Sequence, residues 1–229
     1  MATITAVGSL AVSSASFTIA VSPTTLGDIL VVWHGSTLTT SDNITGISGG
    51  GVTTWSPVAG GGGGSKSGDI YWGIITTTGA STVTCTYTSG AATNAALASL
   101  QFTVTGAGTW SAYVSGNIGG TSAGTTYGIL GATLTIGQTG LMLGEIVITT
   151  TPVGGSTSGV TYFNPIGATG NEKYMQVVYQ AFVSGSGANP AWTQGSSGAW
   201  GGCHGLLLFS VSVATVVQKN QAVSRASFR

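Results

Sequence analysis

Chemistry needs side chains that move protons, bind metal or attack carbon, and this chain has few of them. Acid–base work could fall only to Asp28, Asp42, Asp69, Glu145, Glu172, His34 and His204. Asp28 follows Gly27 at the start of an apolar run, where a carboxylate commonly satisfies turn amides. Glu145 is the odd one, because it interrupts the apolar segment LMLGEIVITT at 141–150. It is expected to pair with a lysine of a neighbouring molecule or to face solvent at a strand edge. His34 closes one apolar segment and His204 opens another, positions that suit hydrogen-bonded core or turn residues. Serine is plentiful, but no G-x-S-x-G elbow sets up a nucleophile. Cys85 and Cys203 lack metal-ligand spacing, and they are either one bridge or two small buried apolar residues. The run GGGGGSKS at 60–67 departs from a phosphate loop, since Ser65 precedes Lys66 and a strand rather than a helix follows. It reads as a mobile loop or one ordered by a partner. The expectation is therefore no catalytic residues, no cofactor and no metal.

The elements that would position these groups are strands. SFTIAV at 16–21, DILVVWHG at 28–35, DIYWGIIT at 69–76, STVTCTYT at 81–88 and LQFTV at 100–104 are short, β-branched or aromatic, and bounded by Gly, Ser or Pro. The second half offers TLTI at 133–136, LMLGEIVITT at 141–150, YMQVVYQAFV at 174–183 and GLLLFSVSVATVV at 205–217. No segment sustains a 3.6-residue period. Leu30, Val32, Ile75, Val83, Leu100, Phe102, Val147, Val178, Phe182, Leu207 and Phe209 are the expected core.

The chain also looks duplicated. GVTTWSPV at 51–58 matches GVTYFNPI at 159–166, setting Trp55 against Phe163, and LQFTV matches LLFSV at 207–211. Trp72 falls against Tyr179 and Ile75 against Phe182, while LGDILVV at 26–32 resembles TGLMLGE at 139–145. The Ala-rich stretch 91–100 could pass for a helix, but the repeat makes it a strand. The segment 105–132 carries no charge or proline to mark a linker. These features predict an all-β fold: an antiparallel, jelly-roll-like β-sandwich over residues 1–213, built from two tandem pseudo-repeats at about 10–104 and 130–211 and followed by a basic arm at 214–229.

Composition narrows the class further. Five acidic and five basic residues in 229 cancel to zero net charge, against about a quarter charged in ordinary domains. A disordered polyelectrolyte is excluded, and nothing favours nucleic acid. No apolar run is long enough for a membrane-spanning helix, and the 39 glycines lack the collagen period. A surface of Ser, Thr, Gly and Asn suits a protein packed among other subunits. No basic stretch precedes the first apolar residues, so either a signal was removed or the chain matures in the cytoplasm. Three of the five basic residues, Lys219, Arg225 and Arg229, lie in the last 11 positions. With Phe228 they form a candidate subunit anchor. Trp110, Trp192 and Trp200 lie near loops and are candidates for stacking on sugar rings, whereas Trp55 and Trp72 have aromatic counterparts that suit a core.

The succession GDILVVWHG, ITGISGGGVTTWSPVAG, GDIYWGIITTTGASTVTCTYT and an Ala-rich apolar strand, repeated more loosely, resembles the sandwich domains of virion proteins in tailed bacteriophages of actinobacteria. The likeness covers roughly residues 10–213. It implies a non-enzymatic structural protein of the virion, assembled in the host cytoplasm, of the minor tail or head decoration type. Its partners would be capsid or tail subunits and further copies of itself, a trimer being one form. The alternative is a carbohydrate-binding adhesion module on a phage tail or bacterial surface, recognising a host glycan. The glycine run at 60–64 departs from the pattern.

Overall fold

In a computed structural model the described residues form seventeen strands and no helix. The structure describes residues 2–14, 17–36, 44–63, 66–87, 95–120, 127–128, 133–148, 152–154, 157–167, 174–186, 190–194 and 200–211. The first half supplies β1 (Ile4–Ser14), β2 (Thr18–Val21), β3 (Ile29–Ser36), β4 (Ile44–Gly49), β5 (Val52–Gly63), β6 (Lys66–Ile75), β7 (Ser81–Tyr87) and β8 (Ala95–Val104). The second supplies β9 (Gly108–Gly120), β10 (Tyr127–Gly128), β11 (Thr133–Ile148), β12 (Pro152–Gly154), β13 (Thr161–Tyr162), β14 (Ile166–Gly167), β15 (Tyr174–Ser186), β16 (Ala191–Gln194) and β17 (Trp200–Val211).

The strands of the two halves follow one order. The first half arranges β1-β8-β3-β6-β5 in a large sheet and β2-β7-β4 in a small one. The second arranges β9-β17-β11-β15-β13 and β10-β16-β12, with β14 also on β15. Among the described residues every pairing is antiparallel except one: β5 meets β9 in parallel at the pair Gly63 and Gly119. The large sheets then face each other. Ile29, Val31, Trp33, Ile70, Leu100 and Phe102 of the first half share a buried cluster with Leu141, Leu143, Val147, Val177, Cys203 and Leu207 of the second. Outside this central layer, Leu30, Val32 and Ile75 pack against Ile19, Val83 and Cys85 of the small sheet. In the second half Ile146, Ile148 and Val178 pack against Trp192.

The arrangement is the expected antiparallel β-sandwich, with both halves contributing to its central layer. Each half closes its own pair of sheets, and the pairs meet back to back. Burial patterns follow from the layering. β3 is buried at all eight positions because it has a sheet on either side, whereas β7 alternates, with Val83 and Cys85 inside and Thr82, Thr84 and Thr86 outside. The expected core residues are buried apart from Phe182, which is half-exposed.

Sequence alignment of the halves needs three corrections. The segment 105–132 is not a link, since residues 108–120 form β9, and the first strand of each half, β1 and β9, falls partly or wholly outside the expected repeats. The match of 26–32 to 139–145 sets Ile29 on Met142, which lie on opposite faces of their sheets; Val31 and Leu141 are the residues that share the central layer. A slip of one residue exchanges the faces of a strand. Trp55 and Phe163 likewise lie in different layers, Trp55 packing inside the first half and Phe163 on the central layer.

Turns are cut to the same close fit. Gly49, Gly50 and Gly51 between β4 and β5 all have positive φ, and a side chain at Gly49 or Gly51 would run into the carbonyl of Thr82 or Thr77. Truncating a residue of the central layer should be costly because nothing nearby is free to fill the space. Leu141→Ala is expected to destabilise the chain by about 2–5 kcal/mol in urea unfolding. A loss below about 1 kcal/mol would show that the two large sheets do not pack as described.

Candidate functional site

Three of the acidic and histidine side chains that sequence isolates, His34, Asp69 and Glu145, are brought close together on β3, β6 and β11, while Asp28 and His204 lie apart from them and Asp42 and Glu172 lie outside the described residues. β3 and β6 place His34 directly opposite Asp69, on the face turned toward the small sheet. His34 Nδ1 lies 3.3 Å from Asp69 Oδ2, with both side chains buried. Tyr87 covers the imidazole with ring centres 5.0 Å apart. Tyr71 and Cys85 border the same space. Burial, and secondarily the Asp69 charge, pushes the Tyr71 hydroxyl up to about 12. Burial also lifts the Cys85 thiol to about 12, against a hydrogen bond from Tyr87.

On the opposite face of β6 the neighbouring residue, Gly68, opens a slot into the central layer. Glu145 enters it from β11. A Cβ at Gly68 would overlap Glu145 Oε1, so glycine is what admits the carboxyl group. Across the strand pair Glu145 faces Cys203, whose Sγ donates to Oε1 at 3.5 Å. The Asp69 backbone amide also donates to the carboxyl group. Oε2 has no hydrogen-bond partner. Burial pushes Glu145 well above its ordinary 4.5, the Asp69 charge adds to the rise, and the two donors oppose it. Burial likewise raises the Cys203 thiol, with Glu145 and Asp69 adding to it. Asp69 therefore joins two buried clusters, through its side chain on one face and its amide on the other.

The placement of Glu145 corrects its reading from sequence. It is neither at an edge nor paired with a lysine of a neighbour: β11 lies between β15 and β17, and the residue is 0% exposed. The glycine run is corrected as well. Gly60–Gly63 are not a loop but strand, paired with residues 66–69, and Gly60 leaves room for the Asp69 carboxylate. Asp28 is not the solvated turn carboxylate expected: it is buried just before β3, and Gln101 Nε2 donates to it at 2.5 Å while Gln101 Oε1 accepts from the Thr24 amide. His204 is buried on the outer face of β17, its Nδ1 without a partner and its pKa lowered by burial. The two cysteines are unbridged.

As chemistry the arrangement is incomplete. The His34–Asp69 contact has two members of a triad, but no hydroxyl reaches Nε2, which is buried and unbonded. Both thiols are raised, the reverse of what activates a cysteine nucleophile. Among the described residues no group of three or more His, Cys, Asp or Glu could hold a metal ion. Concavities of about 220 Å³ beside Gly8, Pro23 and Gln101, and of about 430 Å³ between Val12 and Phe163, contain no ionisable side chain.

The tryptophans also settle differently from expectation. Trp192 is fully buried between the sheets of the second half, where its ring meets Tyr162 edge-on, so it cannot stack on a sugar. Trp110 and Trp200 are half-buried, Trp110 against Phe209 at 5.2 Å. Lys219, Arg225, Phe228 and Arg229 lie outside the described residues. Comparison with protein families, with curated sequences and with solved structures finds no match to this chain.

The slot makes a sharp test. Gly68→Ala is expected to cost about 1–3 kcal/mol through overpacking. The same change made in a Glu145→Ala background should cost much less, because the overlapping atoms are gone. Equal costs in the two backgrounds, measured by urea unfolding, would show that Glu145 does not occupy the slot.

Proposed function

We propose that this chain is a non-enzymatic structural protein of a bacteriophage particle, decorating the capsid or forming part of the tail. One observation supports this reading most. Among the described side chains the charged ones are Asp28, Asp69 and Glu145, and all three are buried. The described outer surface therefore carries no ionised group. Threonine, serine and glycine cover it, with exposed Val12, Leu26, Ile74 and Tyr113 among them. A free monomer normally relies on surface charge for solubility. A surface without it suits permanent burial against other subunits, including copies of this chain.

The strand order supports two further parts of the reading. Interleaving β1-β8-β3-β6 in one sheet with β2-β7-β4 in the other is the jelly-roll manner of winding, and its recurrence in the second half supports an internal duplication. The basic segment 214–229 would serve as the anchor, Arg225 and Arg229 pairing with carboxylates of a neighbour and Phe228 filling an apolar pocket. The reading as a glycan-binding module is weakened by the burial of Trp192.

Mass spectrometry of purified particles should find the chain in stoichiometric amount. Deleting residues 218–229 should leave the protein folded yet lower its incorporation. Absence from particles, or a highly soluble monomer by sedimentation at all concentrations, would overturn the structural role. Normal incorporation of the truncation would remove the anchor alone.

A further inference from the structure

We propose that Glu145 is a proton-dependent latch between the two halves: its neutral carboxyl group keeps the central layer closed, and its ionisation opens that layer before either half's own sandwich gives way. The geometry carries this in four observations. Glu145 comes from the second half and Gly68 from the first, so the carboxyl group is seated in a slot that exists only while the halves are together. One of its donors, the Asp69 amide, is also across that boundary. Its Oε2 is fully enclosed with no donor to stabilise a charge there. Finally, among the described residues one parallel strand pair, Gly63 with Gly119, joins the sheets of the two halves. Side-chain packing of the central layer does the rest, and an unpaired charge inside it is strongly unfavourable.

The groups facing the carboxyl group from each packed element are few. β17 presents the Cys203 thiol and β6 the Asp69 amide, the Asp69 carboxylate pointing away toward His34. From β15, Val177 lies opposite and Tyr179 two residues along; β3 presents Gly35 and Trp33, neither of which titrates. Among the described side chains no cation faces it. Burial and the Asp69 charge hold its pKa above the ordinary 4.5 in the closed form. The closed form therefore keeps a proton that the open form releases. Stabilisation of closure is complete below 4.5 and is lost as pH rises through the raised value.

The two cysteines report on the two layers separately. Cys203 lies in the central layer and Cys85 inside the first half. The full chain is labelled with N-ethylmaleimide across a pH series, and the rates at each cysteine are read by peptide mass spectrometry. Taking the ratio of Cys203 to Cys85 removes the rise in thiolate common to both. The ratio is expected to climb at least about tenfold between weakly acidic and alkaline pH, the change one unit of pKa shift produces. In Glu145→Gln it should stay flat. Glu145→Met, also uncharged, should behave in the same way and replaces the glutamine variant if that does not fold. A flat ratio in the wild type would overturn the latch, as would a rise that persists in either variant.

Discussion

Everything in this molecule depends on burying the five large-sheet strands of the first half against the six of the second. The residues that do it, among them Val31, Trp33, Leu141 and Leu207, have no exposed surface. Each inner sheet is also covered on its other face, so β3 and the middle of β11 have no solvent side at all. This layering explains how a chain with a modest share of apolar residues builds several cores. It also explains why polar groups caught inside, such as Glu145 and His34, lie within reach of specific partners rather than water.

Buried ionisable groups are costly, and their placement shows how the fold contains that cost. Glu145 is most easily accommodated as a neutral acid with a thiol and an amide donating to it. Asp69 is backed by His34 on one side and spends its amide on the other. Glycine is essential to the arrangement: Gly60 and Gly68 flank Asp69 in space and leave the volume that the two carboxyl groups fill. The abundance of glycine is thus partly a packing requirement within strands rather than a sign of loops.

How much of this was legible in the sequence follows the physics of strands. The strand segments, the Ala-rich β8 and the core positions could be read because β-branched residues and turn residues mark them locally. The likeness between the halves showed in sequence where aromatic and proline residues recur, as in GVTTWSPV and GVTYFNPI. Its register was not, because a one-residue slip leaves composition unchanged while exchanging the faces, and so Ile29 was set on Met142. The back-to-back arrangement was illegible because the shared burial of residues as far apart in sequence as Val31 and Leu141 leaves no local trace. Glu145 stood out as a charge in an apolar strand, yet only its pairing with Gly68, far away in sequence, reveals where it points.

The single joining pair between β5 and β9 has a consequence for the order in which the chain is made. Among the described residues all other strand pairs lie within one half, so the strands of the first half pair with one another using residues up to Val104. Synthesis proceeds from that end, and the first half has all its strands while β11, β15 and β17 are still to come. During that interval Ile29, Val31, Trp33 and Phe102 face water as a broad apolar sheet. A nascent chain in that condition is prone to stick to its siblings on the same messenger, and the speed with which the second half follows decides whether each copy closes on itself.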